Sequence, residues 1–563
     1  MGSSRVAWAA TMVIVVVVVF IAFNLNHGIG YANGPACDDW YYFGIFEDYW
    51  NSVSVAPGMY QIIRYSAVLP WSYVAPHLST VAFHDLKFWA HILLTSGLFT
   101  YAAIKLYGSR VGAITAILFS CSTLVLGSMS HDYVTGAGVL WASAAIAATL
   151  YGASRDNQLP GAFAVGAFYA LCVYTHIPII LFIFAVPLLF FAVSKRSNPI
   201  LSFVRFNIVG LVGFAVASLG LAAFSWVIGN NFYFYSPEIY AVFIAVKPGF
   251  YARPTPNNFE WFKTDTNIAF FVAAFGVSLV ALARAIIFRD VDRRNLIPTL
   301  VYIPAAVMCF AWEFSGQVVL QQNVYAPWMY PVAFLACGAG LSQAPRLNIP
   351  TTVIITCLIA IALCVAATTI GVNIGAKVRY PVALAFIMFA ALAIWRYSAV
   401  PLYASLAALV CLTFPTGYGA LPWFIDGSNE RRLYEIVSQA RRFIVPNYKA
   451  GAAFWISGRV RDEFPSLPPV TIPRTFLECS AYPGAFPSVV IPTEAWDSSS
   501  TDLKTLSNSG KLTKGRRLFI IAPGDDIAAQ ASEALKDIGR TVRQIGEVKI
   551  SDGFSVAAVD VAD

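Results

Sequence analysis

The hydrophobic residues of this chain are gathered into long runs that short polar segments separate. A helix needs about 20 apolar residues to cross a bilayer, and about thirteen runs approach or meet that length. They lie near residues 7–25, 86–106, 111–128, 134–152, 161–176, 178–194, 206–228, 267–288, 297–312, 324–343, 350–370, 380–395 and 399–415. The pattern therefore predicts a polytopic α-helical membrane protein with about 13 transmembrane helices. Pro178 interrupts the region 161–194, which leaves a second interpretation open there.

Basic and acidic residues fall on opposite sides of these runs. With the N-terminus in the cytoplasm, the cytoplasmic turns hold a set of lysines and arginines, as the positive-inside rule requires: Lys105, Arg110, Lys195, Arg196, Arg205, Arg289, Arg293, Arg294 and Arg346. Of the 14 acids before residue 427, 11 then lie outside. We expect a multi-pass protein of a bacterial inner (cytoplasmic) membrane, with its chemistry and its C-terminal region on the external, periplasmic side.

Two predicted outer loops are long and rich in aromatic residues, at 26–85 and 229–266. Trp and Tyr favour the membrane–water interface, so an ordinary aromatic belt explains many of these residues. It does not explain a first loop of about 60 residues, because the usual connection between two helices is much shorter. The first loop is therefore the first place to look for function.

The character of the chain changes from about residue 416. Of the 67 charged residues, 33 lie in positions 427–563. The sequence patterns there predict, in order, an amphipathic helix, a strand RRLFIIAP, a helix DDIAAQASEALKDIG, and strands TVRQIGEVKI and FSVAAVDV. We predict a transmembrane domain at 1–415 and a small external α/β domain at 416–563. The latter shows no phosphate loop, metal-ligand spacing or nucleophile elbow, so we expect a structural or acceptor-binding role.

Composition limits the class of protein and its partners. The 563 residues are 58% hydrophobic and 12% charged, whereas soluble domains carry roughly 25% charged residues. The net charge of +7 is modest, and no run of Lys and Arg suggests nucleic-acid binding. The expected surroundings are membrane lipid.

An acidic pair follows the first run directly, Asp38–Asp39 within CDDWYYFGIFEDYW. Carboxylates at a membrane surface are costly to desolvate and often serve a substrate, an ion or a proton. A solvated loop is the alternative, and Glu47 and Asp48 in the same segment are interpreted as capping or solvated acids. His131 and Asp132 mark the outer entrance of the fourth run. Cations that could steady a phosphate lie on the outer loops at Arg64, Lys247, Arg253 and Lys263.

The CDDWYYFGIFEDYW segment resembles the first-loop acidic motif of the GT-C glycosyltransferases, multi-span enzymes that use polyprenyl-phosphate sugars. The branch it most resembles contains protein O-mannosyltransferases and the bacterial lipid A aminoarabinose transferase. The segment from Leu106 to Leu150 is similar to the family's second acidic region, with a Tyr107–Gly108–x–Arg110 turn and Asp132 opening a span. Relatives often carry an Arg-Tyr-x-x-Pro motif in a later outer loop. Here that stretch reads QQNVYAPWMYP, with Tyr325 and Pro327 but no Arg.

The resemblance implies an inverting transfer of a hexose or pentose from a polyprenyl-phosphate donor to a glycan, lipid or protein acceptor. Asp38 is the expected catalytic carboxylate, Asp132 would position hydroxyl groups, and Asp39 would hold Asp38 or act in its place. Residues expected at the substrate are Tyr41, Tyr42, Arg64, His131, Lys247, Arg253, Lys263 and Tyr325. His131 fits a loop residue beside Asp132 better than a metal ligand.

Several alternatives stay open. The acidic pair suits a divalent cation, Mg²⁺ or Mn²⁺, and equally suits chemistry without one. Cys37 and Cys479 both face the predicted oxidising side and are candidates for a disulfide. A transporter or flippase of a lipid-linked saccharide predicts charges at mid-membrane and an internal repeat. A non-catalytic envelope assembly protein predicts that Asp38 is dispensable.

Overall fold

The fold is that of a computed structural model, which describes thirteen stretches of the chain: 2–25, 38–55, 60–130, 134–245, 267–288, 292–314, 326–343, 376–396, 399–413, 427–449, 452–456, 514–550 and 553–562. Two compact units are distinguished. Unit 1 is made of Met1–Ile29, Arg64–Ala67 and Lys87–Phe424, and unit 2 is made of Gly30–Ile63, Val68–Leu86 and Ile425–Asp563. Residues of the first predicted outer loop thus belong with the C-terminal residues. The predicted domain division at 415 stays a prediction.

The first part of the chain is helical throughout its described residues. In chain order the helices are α1 (Gly2–Leu25), α2 (Asp38–Glu47), α3 (Tyr49–Val55), α4 (Tyr65–Ser72), α5 (Thr80–Cys121), α6 (Thr123–Ser130), α7 (Thr135–Ala153), α8 (Leu159–Thr175), α9 (Ile180–Ile183), α10 (Phe190–Val193), α11 (Pro199–Val227) and α12 (Ser236–Ala245). They are followed by α13 (Asn267–Phe288), α14 (Arg293–Phe314), α15 (Tyr330–Ser342), α16 (Ala376–Arg396) and α17 (Ala399–Thr413).

Five of the described helices are long and apolar enough to cross a membrane: Thr80–Cys121, Thr135–Ala153, Pro199–Val227, Ile268–Phe288 and Arg293–Ala311. Further apolar segments are shorter: Arg5–Ile21, Leu159–Thr175, Ile177–Val193, Tyr380–Trp395 and Val400–Thr413. The protein is therefore a largely helical, multi-pass membrane protein. The expected number of thirteen spans stays a prediction, because the run 350–370 lies outside the described residues.

Glycine and proline divide the helices where the sequence pattern places turns. Gly108 interrupts α5 with φ +77° and ψ 178°, a backbone conformation that costs glycine little and other residues much. The Tyr107–Gly108–x–Arg110 turn between two predicted runs is thus confirmed. Farther along, α8 ends at Thr175, and Pro178 and Pro187 lie in 3₁₀ turns within Ile177–Val193. Proline lacks the N–H that a continuous helix needs there.

Helices α8 and α11 pack so closely that their backbones are in contact. A Cβ on Gly166 would clash with the carbonyl oxygen of Gly210, and one on Gly213 would clash with the carbonyl oxygen of Phe163. Close approach through small residues is the usual way for helices to associate in lipid. The most apolar part of α11 is only 17% buried, whereas that of α7 is 83% buried. We infer that α11 presents most of its surface to lipid and α7 presents little.

The C-terminal residues form a helix and a small α/β sheet. Helix α18 (Gly427–Asn447) precedes β1 (Ala453–Ile456), β2 (Arg517–Pro523), α19 (Ile527–Lys536), β3 (Val542–Lys549) and β4 (Phe554–Val561). The strand order is β1-β2-β4-β3, with β1 parallel to β2 and the other two pairings antiparallel. Helix α19 buries Ile527, Ala531 and Leu535 against the sheet residues Leu518 and Val559. The predicted order of α18, β2, α19, β3 and β4 is confirmed, and β1 was not predicted.

Candidate functional site

The first-loop acids lie at the start of a short helix. Helix α2 begins at Asp38, so Asp38 and Asp39 are its first two residues. Unpaired backbone N–H groups and the helix dipole favour negative charge at this end of a helix. The side chains of both aspartates lie outside the described part of the structure.

The aromatic residues that follow the acids pack inside unit 2. Tyr42, Phe43 and Phe46 are 0%, 0% and 3% exposed. The ring of Phe43 stacks on His84 with centroids 5.8 Å apart, and Phe46 lies 5.7 Å from Phe83 at the start of α5. The expected headgroup-layer position is therefore wrong for Tyr42, which is in the core, whereas Trp50 is 53% exposed and suits an interface. Tyr41 is partly exposed, and contact of Tyr41 or Tyr42 with substrate stays a prediction.

The last residue of α2, Glu47, is held by three side chains of unit 2. Its Oε1 accepts hydrogen bonds from Ser438 Oγ at 2.6 Å and Thr80 Oγ1 at 3.2 Å. Its Oε2 lies 3.6 Å from Arg441 Nη1. We call Glu47, Thr80, Ser438 and Arg441 the α2 clamp. The interpretation of Glu47 as a capping or solvated acid is wrong, because its side chain is 12% exposed and bound on two sides.

Asp48 stands at the edge of this clamp. Its Oδ2 lies 3.9 Å from Arg441 Nη2, and its side chain is 35% exposed. Beside it opens a cavity of about 600 Å³, a size common for small-ligand sites. The cavity is lined by Glu47, Asp48, Ala75, Pro76, His77, Leu78, Ser79, Arg441, Arg442, Val445 and Pro446. Both signs of charge and several apolar residues meet there, so the lining alone selects no one class of ligand.

A second group of charges is buried in unit 1, around Arg64. Arg64 Nη2 donates to Glu238 Oε1 at 3.1 Å, and the two side chains are 2% and 3% exposed. His176 Nδ1 also contacts Glu238 Oε1, and the backbone N–H of Ile177 donates to the same oxygen at 3.3 Å. Arg64 was predicted as a phosphate contact, and here its guanidinium pairs with a carboxylate of the protein. Its contact with substrate stays a prediction.

The protonation of this cluster follows from its geometry. His176 Nδ1 lies 3.0 Å from Arg64 Nη2 as well as beside Glu238. A ring nitrogen that donates to Glu238 cannot accept from Arg64, and an ionised carboxylate can only accept. We therefore assign the Nδ1 proton to the bond with Glu238. Burial raises the pKa of Glu238, but the charge of Arg64 and the bond from His176 outweigh it, so this pKa lies below its ordinary value.

Hydrogen bonds between neighbouring segments surround the Arg64 cluster. Tyr65 donates its hydroxyl proton to Ser225 Oγ at 2.9 Å and accepts from Asn230 Nδ2 at 3.2 Å. The hydroxyls of Ser66 and Thr175 are 2.8 Å apart. Tyr65 and Ser66, which lie within the first predicted outer loop, are thus fixed against the end of α8 and against residues around the start of the second loop. Sequence reasoning missed the partnership of His176 and Glu238 with Arg64, because residues 112 and 174 positions apart show no common pattern.

The remaining predicted site residues lie outside the described stretches: His131, Asp132, Lys247, Arg253, Lys263 and Tyr325. Cys37 and Cys479, the candidate disulfide, do so too. The structure therefore places Glu47, the other clamp residues and the cavity next to one another. The meeting of Asp38 with Asp132 stays a prediction. Among the described residues, no three His, Cys, Asp or Glu side chains are grouped to hold a metal ion.

Comparison with known proteins gives similarity of structure only. No family model matches the sequence, and no curated protein matches it. The fold is similar to ArnT from Cupriavidus metallidurans bound to undecaprenyl phosphate, with 14% identity, TM-score 0.46, and coverage of 98% of this chain and 97% of ArnT. It is also similar to the oligosaccharyltransferase AglB from Archaeoglobus fulgidus in complex with an inhibitory peptide and a dolichol-phosphate, with 12% identity, TM-score 0.40, and coverage of 97% and 74%.

A complex of the Archaeoglobus fulgidus oligosaccharyltransferase with Zn and sulfate is similar at 11% identity and TM-score 0.38, with coverage of 92% and 69%. These alignments extend over nearly the whole length of this chain. Identities of 14% or less and TM-scores below 0.5 decide neither activity nor substrate. Both have to be argued from the residues of this chain.

Proposed function

We propose that this protein is a membrane glycosyltransferase that moves a sugar from a polyprenyl-phosphate donor to an acceptor on the outer face of a bacterial cytoplasmic membrane. The observation that carries the proposal is the position of Asp38 and Asp39 at the start of α2, within the first predicted outer loop. The buried aromatic side of α2 and the Glu47 contacts support it, because they fix the helix that carries the acids.

In the proposed reaction Asp38 accepts the proton of the acceptor hydroxyl as that oxygen attacks the anomeric carbon. The bond between this carbon and the phosphate oxygen breaks, and the polyprenyl phosphate leaves with the electron pair. Attack opposite the leaving group inverts the configuration. The carboxylate also stabilises positive charge that develops on the sugar ring. Asp39 supports Asp38 or replaces it, and Asp132 orients hydroxyl groups.

The departing phosphate needs cations near it. Lys247, Arg253 and Lys263 of the second outer loop are the candidates that we prefer, because Arg64 already pairs with Glu238. A divalent cation bound by the acidic pair is an alternative that chelation tests directly. The external α/β residues from 416 onward then serve the acceptor or the position of α2.

The test compares variants in the source cell by mass spectrometry of surface glycans and glycolipids. A deletion strain first identifies the missing sugar by its mass. Asp38→Asn should then lower the amount of that product about 100-fold or more, because a general base contributes about 10² to 10⁴ in rate. Asp156→Asn makes the same chemical change at an exposed position and should leave the product unchanged. Immunoblotting of membranes establishes equal amounts of protein.

A transporter of a lipid-linked saccharide is the second candidate, and the buried Arg64–Glu238 pair favours it, since buried charges mark many transport pathways. The same experiment separates the two. A deletion phenotype with normal product in both Asp38→Asn and Asp39→Asn contradicts the transferase proposal. Loss of product in Glu238→Gln alone, with normal membrane abundance, supports transport.

A further inference from the structure

The two ends of helix α2 carry different groups: the first end carries the proposed catalytic acids, and the last end is held by other side chains. Asp38 and Asp39 open the helix, and Glu47 closes it inside the α2 clamp. Between the ends, the buried aromatic residues Phe43 and Phe46 attach the helix to the start of α5. The clamp joins the end of α2 to α18 through Ser438 and Arg441.

We propose that Arg441 is a positioning residue, which sets the orientation of α2 and thereby the place of Asp38 relative to the bound substrate. This inference rests on the proposed function, because the position of Asp38 affects the rate only if Asp38 is the catalytic base. Arg441 contacts Glu47, which lies nine residues from Asp38 along α2, so it acts through the helix. The C-terminal residues thus take part in the chemistry without touching the reacting atoms.

The burial of the clamp supports a directional role. The side chains of Arg441 and Glu47 are 4% and 12% exposed. Packed apolar residues would often stabilise such a place as well as a buried ion pair does. A guanidinium also constrains the geometry, because its planar group faces Glu47 with Nη1 and Asp48 with Nη2. Two carboxylates that adjoin at the end of α2 therefore meet one fixed group.

Helix geometry converts a small change at the clamp into a large one at the acids. Ten residues at a rise of about 1.5 Å place the two ends of α2 roughly 13 Å apart. A tilt of about 4° at Glu47 would therefore move the backbone of residue 38 by about 1 Å. A displacement of that size can lower the rate of a reaction about 100-fold.

Helix α18 is suited to hold the clamp because other parts of unit 2 fix it. Ser438 and Arg441 are three residues apart and so share one face of α18. The helix packs against β4, and a Cβ on Gly546 of β3 would lie 3.5 Å from the ring of Phe443. Arg517 of β2 donates to the carbonyl oxygen of Asn447, the last residue of α18. The sheet therefore supports the helix that supports α2.

The experiment follows one variant with three measurements. Arg441→Met should lower the rate at which the deletion-sensitive glycan reappears after induction by tenfold or more, at equal protein abundance. Binding of undecaprenyl phosphate to the purified full chain should stay within twofold of wild type. Hydrogen exchange of the peptide covering residues 38–47 should become faster. Arg441→Lys, which keeps the charge and loses the fork, should recover part of the rate.

The neighbouring arginine provides the matched control. Arg442 is exposed and also lines the cavity, and it has no part in the clamp. If Arg442→Met slows glycan formation as much as Arg441→Met, the cavity binds a substrate and the positioning role is overturned. A normal rate and normal exchange in Arg441→Met overturn it as well.

The failure of this inference can be told apart from failure of the proposed function. If Asp38→Asn abolishes the product while Arg441→Met changes only the melting temperature, the transferase proposal stands and the positioning role does not. If Asp38→Asn forms normal product, the assignment of the base fails. The exchange of residues 38–47 in Arg441→Met then still decides whether the clamp fixes α2.

Discussion

Each unit of this protein buries an arginine against a carboxylate, and the two pairs are built differently. In unit 1, Arg64 and Glu238 are 3.1 Å apart and almost without exposed surface. In unit 2, Arg441 lies 3.6 Å from Glu47 and 3.9 Å from Asp48, and these acids are 12% and 35% exposed. The first pair is enclosed by protein, and the second borders a cavity.

The difference shows how the surroundings of an ion pair determine what it can do. Three groups converge on one oxygen of Glu238, so a shift of any of them leaves a charge without compensation in a dry interior. Arg441 instead divides its contacts between two acids at longer distances, one of which reaches solvent. A shift there costs less free energy of unfolding, because solvent compensates part of the charge. We infer a fully enclosed lock in unit 1 and a partly solvated one in unit 2.

The largest expected effect on stability comes from Glu238→Gln. Without its carboxylate partner the buried charge of Arg64 is uncompensated, which should lower the free energy of unfolding by about 3 to 5 kcal/mol. Glu47→Gln should cost less, about 1 to 2 kcal/mol, because its ion pair with Arg441 is longer and partly solvated. Thermal unfolding of the purified protein in detergent measures both.

The control for this comparison is Glu533→Gln, which makes the same change at an exposed position of α19 and should not alter the melting temperature. Equal losses for Glu238→Gln and Glu47→Gln would show that the two locks do not differ. The double variant Arg64→Met with Glu238→Leu should recover most of the loss, because apolar packing replaces the pair.

Acid should release the unit 1 lock. The folded-state pKa of Glu238 lies below its ordinary value, against the effect of burial, because of Arg64 and His176. A carboxylate of that kind contributes its stability above the unfolded-state pKa, and the contribution is lost as pH falls from about 4.3 toward the lower folded-state pKa. Melting temperatures measured from about pH 5 down to about pH 3 should therefore fall more steeply for wild type than for the apolar double variant. Parallel curves would contradict this assignment.

The smallest effect is expected at the rim of the sheet, where a third pair joins Arg517 to Asp560 at 2.7 and 3.0 Å. The hydrogen bond from Arg517 lowers the pKa of Asp560. Asp560→Asn should cost about 1 kcal/mol, the upper part of the range for surface pairs. Faster hydrogen exchange of residues 554–561 would report the loss. Lys549→Met, which removes an exposed pair with Asp525, should leave exchange unchanged.

Local patterns predicted the parts of this fold that local physics decides. Runs of apolar residues located the long described helices, and Gly108 and Pro178 located breaks within them. The short helices α2, α3, α4 and α12 lie in the predicted outer loops and were not located by these runs. The strand-like patterns of apolar residues located β2, β3 and β4, and the acids at its start and Gly539 at its end located α19. Strand β1 was not predicted because AFWI has only four residues and is paired on one edge with a strand more than 60 positions away. The pairing of β1 with β2 therefore stabilises an extended conformation that the sequence of β1 alone does not indicate.

The sites show the same division. The acidic pair was predicted from the residues themselves, and the structure adds that a helix begins there. The partners of Glu47 and Arg64 could not be predicted, since Ser438 lies 391 positions from Glu47 and Glu238 lies 174 positions from Arg64. Tyr42 was expected in the headgroup layer because aromatic residues favour both interfaces and cores. Only packing decides between the two.

The glycine contact between α8 and α11 also bears on how the protein is made. Helix α11 is apolar enough to be stable in a bilayer alone, and most of its apolar part is unburied. Insertion and docking can therefore be separate events in its biosynthesis, with docking decided by the approach of Gly166 to Gly210. A methyl group at position 166 would leave insertion intact and prevent assembly. Such a chain would reach the membrane in normal amount as an incompletely assembled product, which quality-control proteases rather than the insertion machinery would recognise.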